Sequence, residues 1–129
     1  MKLVAKTPLY EISYDSVKNR TYLKIIGFWR NPEVVPNYLS DFAKMIKMTR
    51  RNFTILVDTT QMPVHPKEVQ QIHETAQRMS VNAGVARVAH ILSESAIAEF
   101  MIDKMASNSR MPQDKFRNGT DAEAWLDKV

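Results

Sequence analysis

From residue 53 to residue 126, short apolar runs alternate with helical stretches three times over, and this alternation constrains the fold more than any other feature. The first run, residues 53–57, ends at Asp58 and reads as a buried strand. Pro66 then opens a helix whose predicted buried stripe is Val69, Ile72, Ala76, Met79 and Ala83, stopped by Gly84. Residues 85–92 form the next strand, and Ser93 is read as the cap of a helix with apolar positions Ile97, Phe100, Met101 and Met105. A last strand ends at Phe116. Thr120 is read as the following N-cap, with Glu123 three positions on completing a capping box ahead of Trp125 and Leu126. Strand–helix–strand units of this kind pair their strands in parallel through right-handed crossovers.

The first part of the chain adds two antiparallel candidates. Tyr10, Ile12 and Tyr14 alternate with Glu11, Ser13 and Asp15, the pattern of a strand with one wet face, expected at a sheet edge. Ser16 and Asn19 supply a turn into a second strand at residues 22–29, apolar on both faces except for Lys24. Asn31 and Pro32 mark a helix start, and Leu39, Phe42 and Ile46 follow at helical spacing with Ala43 on the same side. The predicted order is ββαβαβαβα, an α/β domain with a mixed, mostly parallel five-stranded sheet and covering helices. A chain of 129 residues fits one domain over residues 1–129, with residues 1–8 expected as a loosely ordered N-terminal extension.

Composition excludes several classes. No apolar run approaches the roughly 20 residues that span a bilayer, and residues 1–7 contain no apolar segment of a secretory leader. The absence of cysteine removes disulfides, thiolate metal sites and cysteine nucleophiles, and a cytoplasmic location is the default expectation. Residues 1–52 carry ten Lys and Arg against four Asp and Glu, net +6, while residues 53–129 carry eight against ten, net −2. The basic excess peaks at Lys44, Lys47, Arg50 and Arg51. Without interleaved glycines and aromatics it reads as a solvated helix end complementing the helix dipole, and no nucleic-acid partner is expected.

Parallel α/β sheets bind ligands beyond the carboxyl ends of their strands. That rim is predicted to gather Trp29 and Arg30 after one strand, Asp58, Thr59 and Thr60 after the next, and His90 and Ser93 near the end of another. Asp58 with His90 is the only pairing there that resembles acid–base machinery. The plainer readings, a loop-capping acid and a hydrogen-bonded core imidazole, are favoured for both. His73-Glu74 lacks the second histidine of a zinc-protease helix, since position 77 is glutamine, and a mixed set of His65, Glu68 and His73 is the weaker metal candidate. The isolated glycines form no phosphate-cradling loop, and neither serine cluster forms a nucleophile elbow. No catalytic, metal or cofactor residue is assigned. Eight methionines, five of them on predicted helices, suit either core filling or an adaptable apolar cavity.

The opening hairpin leading to Ile26-Gly27, the strand Ile55-Leu56-Val57-Asp58, the strand at residues 85–91 and the closing Phe116 with Ala124-Trp125-Leu126 together resemble the SpoIIAA-like family, related to the STAS domains of anti-sigma-factor antagonists. STAS antagonists carry an Asp-Ser-Ser-Gly-like phosphorylation motif where this chain has His65-Pro66-Lys67-Glu68, so phosphorylation-switched control is not implied. The resemblance implies a non-enzymatic binding module acting on a protein partner of unknown identity, with a homodimer as one form. The alternative it implies is a carrier or sensor of a small apolar, lipid-like ligand.

Overall fold

The computed structural model describes residues 1–129, except for the side chain of Ala96. Six strands form one sheet in plain sequence order: β1 (Lys2–Lys6), β2 (Tyr10–Asp15), β3 (Arg20–Ile26), β4 (Thr54–Gln61), β5 (Arg87–Ile91) and β6 (Gln113–Phe116). The β1–β2 and β2–β3 pairs are antiparallel, and β3 through β6 run parallel. The helices are α1 (Tyr38–Met48), α2 (Lys67–Asn82), α3 (Ala96–Ser109) and α4 (Gly119–Leu126), with a single 3-10 turn at Pro32–Val34.

Sequential strand order explains the layering. Each crossover from β3 to β6 steps one strand in the same direction, so crossovers of one hand place α1, α2 and α3 on one face. The main core lies there, between those helices and Ile12, Leu23, Ile25, Ile55, Val57 and Val88. Helix α4 is no crossover and folds back on the opposite face, over Leu56 and Ala89, with its own Ala122 and Leu126.

The structure corrects several expectations. Residues 1–8 are not a loose extension: β1 pairs with β2, because the polar edge of β2 still offers unpaired backbone groups that a neighbouring strand satisfies. The sheet therefore has six strands rather than five, and β2 is internal. Strand β4 runs on to Gln61 through residues expected to form a loop. The cap of α4 is Asn118, whose side chain accepts from the Asp121 N–H, and not Thr120; Glu123 is thereby released from capping. The cap of α3 is Ser95 rather than Ser93. The 3-10 turn begins at Asn31-Pro32 as expected, but Pro36 delays α1 to Tyr38.

Candidate functional site: a cavity beside three buried imidazoles

Three irregularities at the carboxyl ends of β3 and β4 build the site. Gly27 adopts φ +74°, a turn that a side chain resists, and its carbonyl faces inward to accept from His65 Nε2 at 2.9 Å. Between Asp58 and Gln61, β4 carries one residue more than the facing stretch of β3, a β-bulge. Asp58 Oδ1 steadies it by accepting from the Thr60 N–H at 2.9 Å and the Thr60 hydroxyl at 2.6 Å. Trp29 then turns its ring fully inside, donating from Nε1 to the carbonyls of Leu9 and Ile26.

Trp29 anchors an aromatic stack. Tyr38 meets it edge-on at 5.0 Å, His65 lies nearly parallel at 5.2 Å, and His73 is tilted at 4.9 Å. The two imidazoles are bonded, His65 Nδ1 to His73 Nε2 at 3.1 Å. Their tautomers follow from the Gly27 carbonyl, which can only accept. His65 must hold its proton on Nε2, its Nδ1 must accept, and His73 must donate from Nε2, leaving His73 Nδ1 bare. Burial lowers the pKa of all three histidines. His73 falls to about 3, with the like charges of His65 and His90 adding to desolvation. His90 falls to about 4, burial again leading, and His65 shifts down against the opposing Gly27 hydrogen bond.

Beside this stack, a cavity of about 40 Å³ lies between the sheet and α1–α3. Its wall is mostly Leu, Ile, Val and Met, but Tyr38, Thr59, His73, Gln77, Ser80 and His90 also line it. The space suffices for roughly three water-sized groups and is well below the roughly 150 Å³ that accepts benzene. Most of the polar wall is internally satisfied. The Thr59 hydroxyl donates to the Ile91 carbonyl at 2.6 Å, that of Ser80 to the Ala76 carbonyl, and that of Ser109 to Gln77 Oε1. His90 stands apart in having no partner for any of its buried polar side-chain atoms: it is 4% exposed and neither ring nitrogen is hydrogen-bonded.

The seven residues expected at one rim do not share a site. Trp29 is core, and Arg30 is on the surface. The register pairs His90 with Val57 and Asp58 with Ile91, so the alternation of side chains puts His90 on the helix-covered face and Asp58 on the other. Asp58 and His90 therefore cannot act on one substrate atom. Thr59 points into the cavity, while Thr60 is exposed. Ser93 is half-buried, and its hydroxyl oxygen and carbonyl accept from Ser95 N–H and from Arg117. Of the seven, the cavity brings together only Thr59 and His90.

Sequence reasoning weighed His73 only as a metal ligand and position 77 only as a missing histidine, placed neither on the buried stripe, and passed over Ser80. The buried stripe of α2 is Val69, His73, Ala76, Gln77 and Ser80, with Ile72 and Met79 only partly buried. The signal was present in the spacing, since positions 69, 73, 76, 77 and 80 lie on one helical face; choosing the stripe by apolarity moved it to one side. Among the described residues no group of three or more His, Asp or Glu side chains is placed to hold a metal, and no helix is long and apolar enough to cross a membrane.

The chain has a SpoIIAA-like fold. It superposes on the crystal structure of an uncharacterised protein of the DUF3478 family from Shewanella loihica PV-4, described as SpoIIAA-like, with TM-score 0.63 over 95% of this chain and 97% of that one. Sequence identity is 13%, so the likeness concerns the fold alone. No family model and no curated protein matches the sequence.

Proposed function

We propose that this protein is a non-enzymatic binding module whose helix-covered sheet face receives a small, largely apolar ligand. The observation that carries this reading is the apolar cavity with the unpartnered His90 in its wall. Natural cores seldom leave a buried polar group unpaired, because each costs about 1–3 kcal/mol, so His90 calls for a partner from outside the chain, a bound molecule or water. The separation of Asp58 from His90 supports the non-enzymatic half of the reading. A ligand larger than the cavity must push aside Met62, Met105 or Met111, thioethers whose flexibility makes such adjustment cheap.

A second reading, binding of a protein partner, is favoured by one separate observation. Ile97 and Phe100 are 69% and 71% exposed on α3, and Phe28 and Val64, close to His65, are also exposed. Native mass spectrometry after purification without detergent tests the two. A retained small-molecule mass together with methyl NMR shifts at the cavity methionines under pressurised xenon is expected. A bare protein mass with unmoved methionine signals would remove the ligand reading.

A further inference from the structure

We propose that His90 is the polar anchor of the cavity and that the ligand it selects is a neutral small molecule carrying a hydroxyl on an apolar body. This rests on the ligand-binding reading above and adds the chemistry of recognition. A neutral imidazole presents one N–H donor and one bare acceptor, and in His90 both are buried without a protein partner. Three neighbouring polar groups are engaged elsewhere. Thr59 donates to Ile91, and Gln77 Oε1 accepts from Ser109. Lys115 pairs with His90 in register, yet its ammonium is turned to Glu99 at 3.4 Å and Asp103 at 2.9 Å. The complement of His90 therefore has to arrive with whatever enters the cavity.

Charge narrows the class. No Lys or Arg lines the cavity, and burial holds His90 neutral at physiological pH, so an ionised carboxylate or phosphate would be desolvated without a counter-charge. A hydroxyl suits the site because it donates to a bare imidazole nitrogen or accepts from the protonated one, whichever it meets. An ether can accept from the N–H but leaves the bare nitrogen unmet, and a hydrocarbon can meet neither. The remaining wall, including Val57, Val88, Ile102 and Met105, is matched by an apolar body.

The isomers 1-butanol and diethyl ether test the idea, because they share composition and size and differ in the hydroxyl. Binding is read by methyl NMR of the cavity methionines, and His90 by the ¹⁵N signals of its ring, with xenon as a purely apolar probe. In the wild type, 1-butanol is expected to bind roughly tenfold more tightly than the ether, the worth of one buried hydrogen bond, and to move the His90 nitrogen signals. In His90→Leu the two isomers should bind alike. Equal binding to the wild type with unmoved His90 nitrogens would overturn the anchor while leaving the cavity reading intact, provided xenon still shifts the methionines. If xenon also leaves them unmoved, both ideas fall. Should His90→Leu not fold, the wild-type preference and ring signals decide alone.

Discussion

The two faces of the sheet solve the burial of polar groups in opposite ways. On the α4 face, Arg20 is 3% exposed yet fully engaged: it reaches Glu123 at 2.7 Å, Asp127 at 2.9 Å and the Thr54 hydroxyl at 2.9 Å. Tyr22 adds its own hydroxyl to Glu123 and is pushed up to about 12, by burial first and then by that carboxylate. Burial is the largest single influence on Glu123 and opposes its ionisation, but the hydrogen bonds from Arg20, Tyr22 and Lys18 and the Arg20 charge together outweigh it and hold the carboxyl below its ordinary value. On the α1–α3 face the buried polar groups are all uncharged, and several, His90 among them, have no partner, beside a cavity. The first arrangement locks a helix to a sheet. The second leaves hydrogen-bonding capacity and space unspent, which is what a binding site requires and a structural core avoids.

Acid should separate the faces most strongly. His73 and His90 have native pKa values depressed to about 3 and about 4, below the ordinary 6.5. Below pH 6.5 the unfolded chain takes up protons that the native imidazoles refuse, so their contribution is complete above 6.5 and shrinks as pH falls toward 4. The slope approaches about 1.4 kcal/mol per pH unit for each histidine. Glu123, ordinarily near 4.5 and lower in the fold, stabilises above that value and is lost only in stronger acid. Urea midpoints should therefore fall between pH 6.5 and 4.5 through the imidazole face alone. In a His73→Leu/His90→Leu double variant that fall should be much shallower; an unchanged slope would show that these imidazoles are not held neutral.

Arg20→Leu probes the other face and should cost about 2 kcal/mol. Breaking a fully buried pair costs about 3–5 kcal/mol, and Glu123, 30% exposed, tempers the loss because water and Lys18 can still serve it. Loss of α4 protection in hydrogen exchange, with α2 unaffected, would localise the damage.

His90→Leu should act in the opposite sense, raising stability by about 1 kcal/mol at pH 7 while abolishing preference for a hydroxylic ligand. The change removes two unpaired polar atoms and replaces them with apolar surface. Thermal unfolding decides the sign. A clear loss of stability would mean that His90 is satisfied in solution and belongs to the structural core after all.

The sequence carried the backbone plan better than the side-chain plan, for physical reasons. Alternation with period two places Tyr10, Ile12 and Tyr14 inward whatever the neighbours, and the βα repeats impose parallel pairing. The strand at residues 2–6 was missed because its inward positions are only partly buried, so it has no apolar alternation to display. Placing Asp58 and His90 on opposite faces requires the register between β4 and β5, a property of two strands together that neither carries alone. The cavity was less accessible still. His73, Gln77 and Ser80 look like surface residues, and only the packing of α2 turns them inward. Glu123 shows the converse: an ideal spacing from Thr120 for a cap, undone because Asn118 caps the helix, which leaves Glu123 to pair with Arg20.

The smallest effect is expected at the outer side of α3, where the helix is apolar on both sides. Met101, Ile102 and Met105 face the core, whereas Ile97 and Phe100 face water. Replacing Ile97 and Phe100 by Ser should change stability by no more than about 0.5 kcal/mol each, since the side chains bury little surface that unfolding would expose. The same pair should weaken any protein partner that docks on α3 and leave the 1-butanol preference at His90 unchanged. Stability and association therefore respond to different sides of one helix, which urea denaturation and analytical ultracentrifugation measure separately. A double variant that unfolds markedly more easily would show that Ile97 and Phe100 are packed in solution, and the contrast between a closed inner side and an open outer side of α3 would fail.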